Sequence, residues 1–150
     1  MRKYVLDTNC YIDASRDPGA HQALETFVAW AAPGLYVSSV VAAELRAGAR
    51  SARDRRTVED RLLGPFVRQE RVITPSAAAW DALGRALASL RESDGLQVAQ
   101  TSRGFAFDVL LAYSCRELGA TLVSANARDM ARIRRVFAFE TVAPYPRAPK

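Results

Sequence analysis

The chain has one histidine, two cysteines and two lysines among its 150 residues. Each shortage removes a class of chemistry. His21 cannot build a His-rich metal centre, and no partner base stands near it for a nucleophilic triad. It lies in a polar stretch and reads as a surface residue. Cys10 and Cys115 sit inside apolar patterns with no metal-type spacing between them, so they read as buried free thiols. No apolar run approaches the roughly 18 residues that span a bilayer. The opening MRKYVLDTN carries two positive charges but only a very short apolar run. It reads as a first core strand rather than a signal peptide. A cytoplasmic protein with no membrane segment is the expectation. Aromatic residues are sparse at 9%, while alanine is abundant, which favours close-packed helices.

What is present is an ordinary core and an unusual charge. Apolar residues make up 49% of the chain, and the length suits a single domain over residues 1–150. The net charge is +5, and 19 of the 21 basic residues are arginine. Arginine favours bidentate contacts with phosphate. Two basic clusters stand out, RAGARSARDRR (46–56) and ARDMARIRR (127–135). Each fits either attraction to a polyanion or a solvated helix face.

Short apolar runs alternate with helical patterns. KYVLD (3–7), LYVSSVV (35–41), RVITP (71–75), ATLVSAN (120–126) and FETVAP (139–144) read as strands. TNCYIDASR starts a helix that Pro18-Gly19 breaks. In the next helix Leu24, Phe27, Val28 and Ala31 recur at helical spacing. Residues 41–70 read as one helix and a second, charged one, interrupted at Gly64-Pro65. Ser76 opens a strong helix as N-cap. DGLQVAQTSRG (94–104) reads as a loop. FAFDVLLAYSCREL (105–118) is helical and stops at Gly119. ARDMARIRRV is a short helix, and residues 144–150 form a loose tail. Unalternating apolar strands between helices predict a mostly parallel sheet with helices on both faces. In such sheets functional groups gather at the carboxyl ends of the strands, near a topological switch point.

The acids follow that rule. Asp7 ends the first strand. Glu44 falls in the first turns of the helix after LYVSS. Asp108 lies near the start of FAFDVLLAY. Asn126 ends TLVSAN, and Asp129 follows three residues on. Right-handed crossovers would bring Asp7, Glu44, Asn126 and Asp129 to one sheet edge, and Asp108 joins them if its helix starts at that edge. Singly, each has a plain reading as a cap or as a first-turn acid that the helix dipole favours. Glu44 and Asp108, however, are flanked by apolar residues, and a lone buried carboxylate is costly. Several carboxylates with no Lys or His beside them suggest a hard cation, Mg²⁺ or Mn²⁺. Such a cation, with arginines on flanking phosphates, suits metal-assisted phosphodiester hydrolysis.

YVLDTNCYID, VSSVVAAELRAG and FDVLLAYSCRELGATLVSANARDM together resemble the PIN domain, and specifically the VapC-type toxins of type II toxin–antitoxin pairs. The resemblance implies a three-layer α/β/α sandwich and a Mg²⁺- or Mn²⁺-dependent endoribonuclease. It further implies a homodimer and inhibition by a small VapB-like antitoxin. Asp7, Glu44 and Asp108 match the family's three core acids and are the expected metal ligands. Asn126 stands where the family often has a fourth acid, and Asp129 fits a variant with the acid three residues later. Thr8, Asn9, Ser39 and Ser124 are the expected polar supports or phosphate contacts.

Two other readings compete. A phosphatase with a covalent aspartate needs a second acid two residues after the first, where Asn9 stands. It also needs a lysine deep in the chain, and none lies between Lys3 and Lys150. A non-catalytic PIN-like module that only binds RNA or a protein partner draws on the missing fourth acid.

Overall fold

The computed structural model describes residues 1–95 and 103–150. Five strands form one parallel sheet in the order β3-β2-β1-β4-β5. They are β1 (Lys3–Leu6), β2 (Leu35–Ser38), β3 (Val72–Ile73), β4 (Ala120–Val123) and β5 (Glu140–Val142). β1 is central, with Tyr4 opposite Leu35 on one side and Thr121 on the other. Its Val5 and Leu6 are fully buried, as are Leu122 and Val123 of β4. Strands covered on both faces can be apolar throughout, which is why these runs do not alternate.

The crossovers carry the helices. α1 (Thr8–Arg16) and α2 (Pro18–Ala31) join β1 to β2. α3 (Ser39–Gly48), α4 (Ala52–Arg56) and α5 (Gly64–Arg68) lie between β2 and β3. α6 (Ala77–Asp94) and α7 (Arg103–Leu118) lead to β4, and α8 (Ala127–Arg134) links β4 to β5. Right-handed crossovers put α1–α5 over one face and α6–α8 over the other, giving the three-layer α/β/α arrangement. From β1 the chain proceeds toward β2, and from β4 it proceeds the other way toward β5. The crevice between the carboxyl ends of β1 and β4 is therefore the switch point of the sheet.

Several boundaries differ from the sequence expectation. The second strand stops at Ser38, and Ser39, Val40 and Val41 are already helical. The cause is a cap, since Ser38 Oγ accepts a hydrogen bond from the Val40 N–H at 3.1 Å. Gly64-Pro65 does not interrupt the helical run. A π-helical segment, Thr57–Leu63, joins α4 to α5, and Pro65 falls in the first turn of α5, where its missing N–H costs little. Pro18 likewise opens α2, and Asp17 ends α1 while capping α2 through the Ala20 N–H. Ser76 caps α6 as expected. Gly119 adopts φ +69°, the left-handed conformation that stops α7. Most of the segment 94–104 lies outside the described residues. In the tail, the Tyr145 ring stacks on Phe27 with centroids 5.3 Å apart. Both cysteines are free and buried, and His21 is exposed. Among the described residues no helix is long and apolar enough to cross a membrane.

Candidate active site

Asp7 follows β1 directly. Its backbone is extended, and its carboxylate turns back to cap α1 by accepting the Thr8 N–H at 2.7 Å. The opening D-T-N is thus a cap, but the side chain is committed further. Its Oδ2 accepts from Ser124 Oγ at 2.7 Å and from Asn9 Nδ2 at 3.0 Å. Ser124 in turn accepts from the Asn126 N–H, and Asn9 Oδ1 accepts from the Ala125 N–H. The ends of β1 and β4 are therefore laced together by polar side chains. The backbone ladder extends one step as well, with the Asp7 N–H on the Val123 carbonyl at 2.9 Å. Asp7 is only 4% exposed. Burial pushes its carboxyl above the usual range, and the bonds from Ser124, Thr8 and Asn9 hold it back.

Glu44 comes from the second turn of α3 and is half-buried. Thr8 Oγ1 donates to its Oε1 at 2.9 Å, so the residue after Asp7 ties α3 to the end of β1. Burial raises the Glu44 carboxyl. The Thr8 bond opposes the rise, the Asp7 charge adds to it, and Arg103 opposes it.

Asp108 projects from the second turn of α7 and is 9% exposed. Its carboxyl is pushed up to about 8, first by burial and then by the charges of Asp7, Asp129 and Glu44. Asn126 gives partial relief by donating from Nδ2 to Asp108 Oδ2 at 3.4 Å. The same Nδ2 donates to Asp129 Oδ2 at 2.9 Å. Asp129 also faces Arg132 Nη1 at 3.6 Å.

The structure brings Asp7, Glu44, Asp108, Asn126 and Asp129 to one sheet edge, with Thr8, Asn9 and Ser124 bonded among them. Ser39 is the exception. It opens α3 half-buried and makes no hydrogen bond to these acids among the described residues, while the adjacent Ser38 is the fully buried capping residue. Sequence reasoning did not single out Arg103, Arg132 or Phe105. The Arg132 guanidinium lies 4.8 Å over the buried Phe105 ring. A helical i,i+3 step from Asp129 to Arg132 was the available signal.

Arrangement and chemistry agree on the type of ligand. The donors are carboxylate, hydroxyl and amide oxygens, which suit Mg²⁺ or Mn²⁺. Among the described residues no salt bridge neutralises Asp7, Glu44 or Asp108, although like charges raise one another there. Among those residues no three acidic side chains already stand close enough to clasp an ion. Several of their oxygens are taken up by the hydrogen bonds above. The best-formed cavity among the described residues is elsewhere. It holds about 620 Å³ beside Arg2, Tyr4 and Trp30, and no acid lines it. Convergent titratable groups mark the carboxyl edge as the better candidate.

The PIN domain profile matches residues 4–136, and the chain belongs to the PIN-domain family. PIN domains are generally nucleases. No curated protein matches this chain. Among solved structures, the DNA-bound VapBC of Salmonella typhimurium is similar at 21% identity. The match covers 95% of this chain and 98% of that one, with a TM-score of 0.69. FitAcB from Neisseria gonorrhoeae aligns at 17% identity, 94% and 97% coverage and a TM-score of 0.67. VapBC2 from Rickettsia felis, bound to a promoter DNA fragment, aligns at 24% identity, 93% and 97% coverage and a TM-score of 0.63. These three likenesses establish a shared fold.

Proposed function

We propose that this chain is a Mg²⁺- or Mn²⁺-dependent endoribonuclease and the toxin of a VapBC-type toxin–antitoxin pair. The observation that carries the reading is Asp108, buried at the switch point among Asp7, Glu44 and Asp129 with no basic partner among the described residues to neutralise it. Such a group calls for a cation. Asp7 and Asp108 would hold the ion directly, and Glu44 would ligate through water or orient the nucleophile. When bound, the ion acidifies a water and offsets charge on the phosphate oxygens. Ser124 and Asn9 fix the Asp7 carboxylate, and Thr8 fixes Glu44. Arg103 and Arg132 supply positive charge at the rim for the flanking phosphates.

The toxin role rests on the family and on the VapBC and FitAB structures that share the fold. In this reading the partners are RNA, a VapB-like antitoxin and a second copy of the chain, in the cytoplasm. The test is cleavage of RNA, with DNA as control, in Mg²⁺ and in EDTA. The parent should cut RNA only with metal, and Asp7→Asn and Asp108→Asn should lose at least about a hundredfold in rate. Variants that cut as fast as the parent would refute the assignment. Binding of RNA without any metal-dependent cleavage would favour the non-catalytic module, to which the amide at position 126 lends support.

A further inference from the structure

We propose that Asn126 and Arg132 are positioning residues that clamp the Asp129 carboxylate beside Asp108. The inference rests on reading the carboxyl edge as a divalent-cation site. Asn126 is the N-cap of α8, and its Oδ1 accepts the Asp129 N–H at 3.3 Å. The amide oxygen is thus committed to the helix. Its Nδ2 is left facing two carboxylates, Asp129 at 2.9 Å and Asp108 at 3.4 Å. The network excludes the flipped amide. A flip would aim an N–H donor at the Asp129 N–H and an oxygen at the Asp129 carboxylate.

Asn126 therefore cannot offer its oxygen to an ion without giving up the cap. What it offers is a bridge. The two carboxyl groups share one donor, which offsets the repulsion between them once Asp108 is ionised. An aspartate at 126 could cap the helix equally well, but ionised it has no hydrogen to give. The far side of Asp129 is held too, with Oδ1 3.6 Å from Arg132 Nη1. Arg132 is fixed in its turn over the Phe105 ring, which is 5% exposed. The N-cap and first two turns of α8 thus carry an Asn, an Asp and an Arg at successive steps of three, with the acid gripped between the other two.

The test is calorimetric titration of the metal-free full chain with Mn²⁺, read beside thermal unfolding in EDTA. Asn126→Ser keeps a good N-cap but removes the bridging amide. It should melt at the parent's temperature and bind Mn²⁺ at least about tenfold more weakly, the usual effect of losing a group that orients a metal ligand. Asn126→Ala should lose both cap and affinity. Arg132→Met leaves the cap untouched and should also weaken Mn²⁺ binding, which keeps the comparison intact if Ser at 126 lowers the melting temperature. Parent-like Mn²⁺ affinity in both Asn126→Ser and Arg132→Met would overturn the clamp alone. A parent that binds no Mn²⁺ would overturn the metal-site reading, and the clamp with it.

Discussion

The two ends of β1 differ. Toward its amino end, Tyr4 packs edge-to-face on Phe27 and Trp30, with centroids 5.4 and 5.7 Å away, and the Tyr145 ring stacks on Phe27. Every group there gains by being buried. At the carboxyl end, one residue past Leu6, burial works against the occupants. Asp7, Glu44 and Asp108 are all driven toward their neutral forms. One strand thus carries a stabilising cluster at one end and a costly acidic site at the other. Strain of this kind is common where a protein binds something, because the surrounding structure offsets it.

The largest expected effect lies at the aromatic end. Phe27 is 1% exposed and central to three ring contacts. Phe27→Ala should cost about 3–5 kcal/mol in urea unfolding. A loss no larger than that of an exposed substitution would show that the cluster does not support the fold.

At the acidic end the expected sign reverses. Folded Asp108 keeps its proton up to about pH 8, whereas the unfolded chain releases it near the ordinary aspartate value. The folded state therefore binds more protons in that window, and stability of the metal-free protein should fall as pH rises through it. Asp108→Asn should flatten the slope and make the metal-free chain more stable than the parent above about pH 8. Melting curves in EDTA across pH 5–9 measure this, and identical slopes would contradict it.

A smaller effect separates neighbouring serines. Ser38→Ala removes the α3 cap and should cost about 1 kcal/mol, whereas Ser39→Ala should cost little. Equal losses would remove that distinction.

Which features were legible in the sequence follows from whether their cause is local. Asp7 and Asn126 announce themselves at strand ends, Asp129 by its place three residues after Asn126, and Glu44 and Asp108 by carboxylates inside apolar helix starts. The parallel sheet followed from apolar runs that do not alternate. The choice between Ser38 and Ser39 was not legible, because it depends on where the strand's extended backbone ends. Ser124 was named, but its bond to Asp7 spans 117 residues and only the fold creates it. The Arg132–Phe105 contact is likewise a product of α7 packing on α8. The helix through Gly64-Pro65 was missed because a π segment before it leaves Pro65 in the first turn of α5, and no local rule predicts that segment.

The most direct measurement is calorimetric titration of the metal-free chain with Mn²⁺ at neutral pH, for the parent and for Asp7→Asn. The parent should show saturable binding with proton release, because an ion must displace the Asp108 proton, and the variant should show none. A parent that takes up no Mn²⁺, or an Asp7→Asn chain that binds it as tightly as the parent, would contradict a cation site at the carboxyl end of β1.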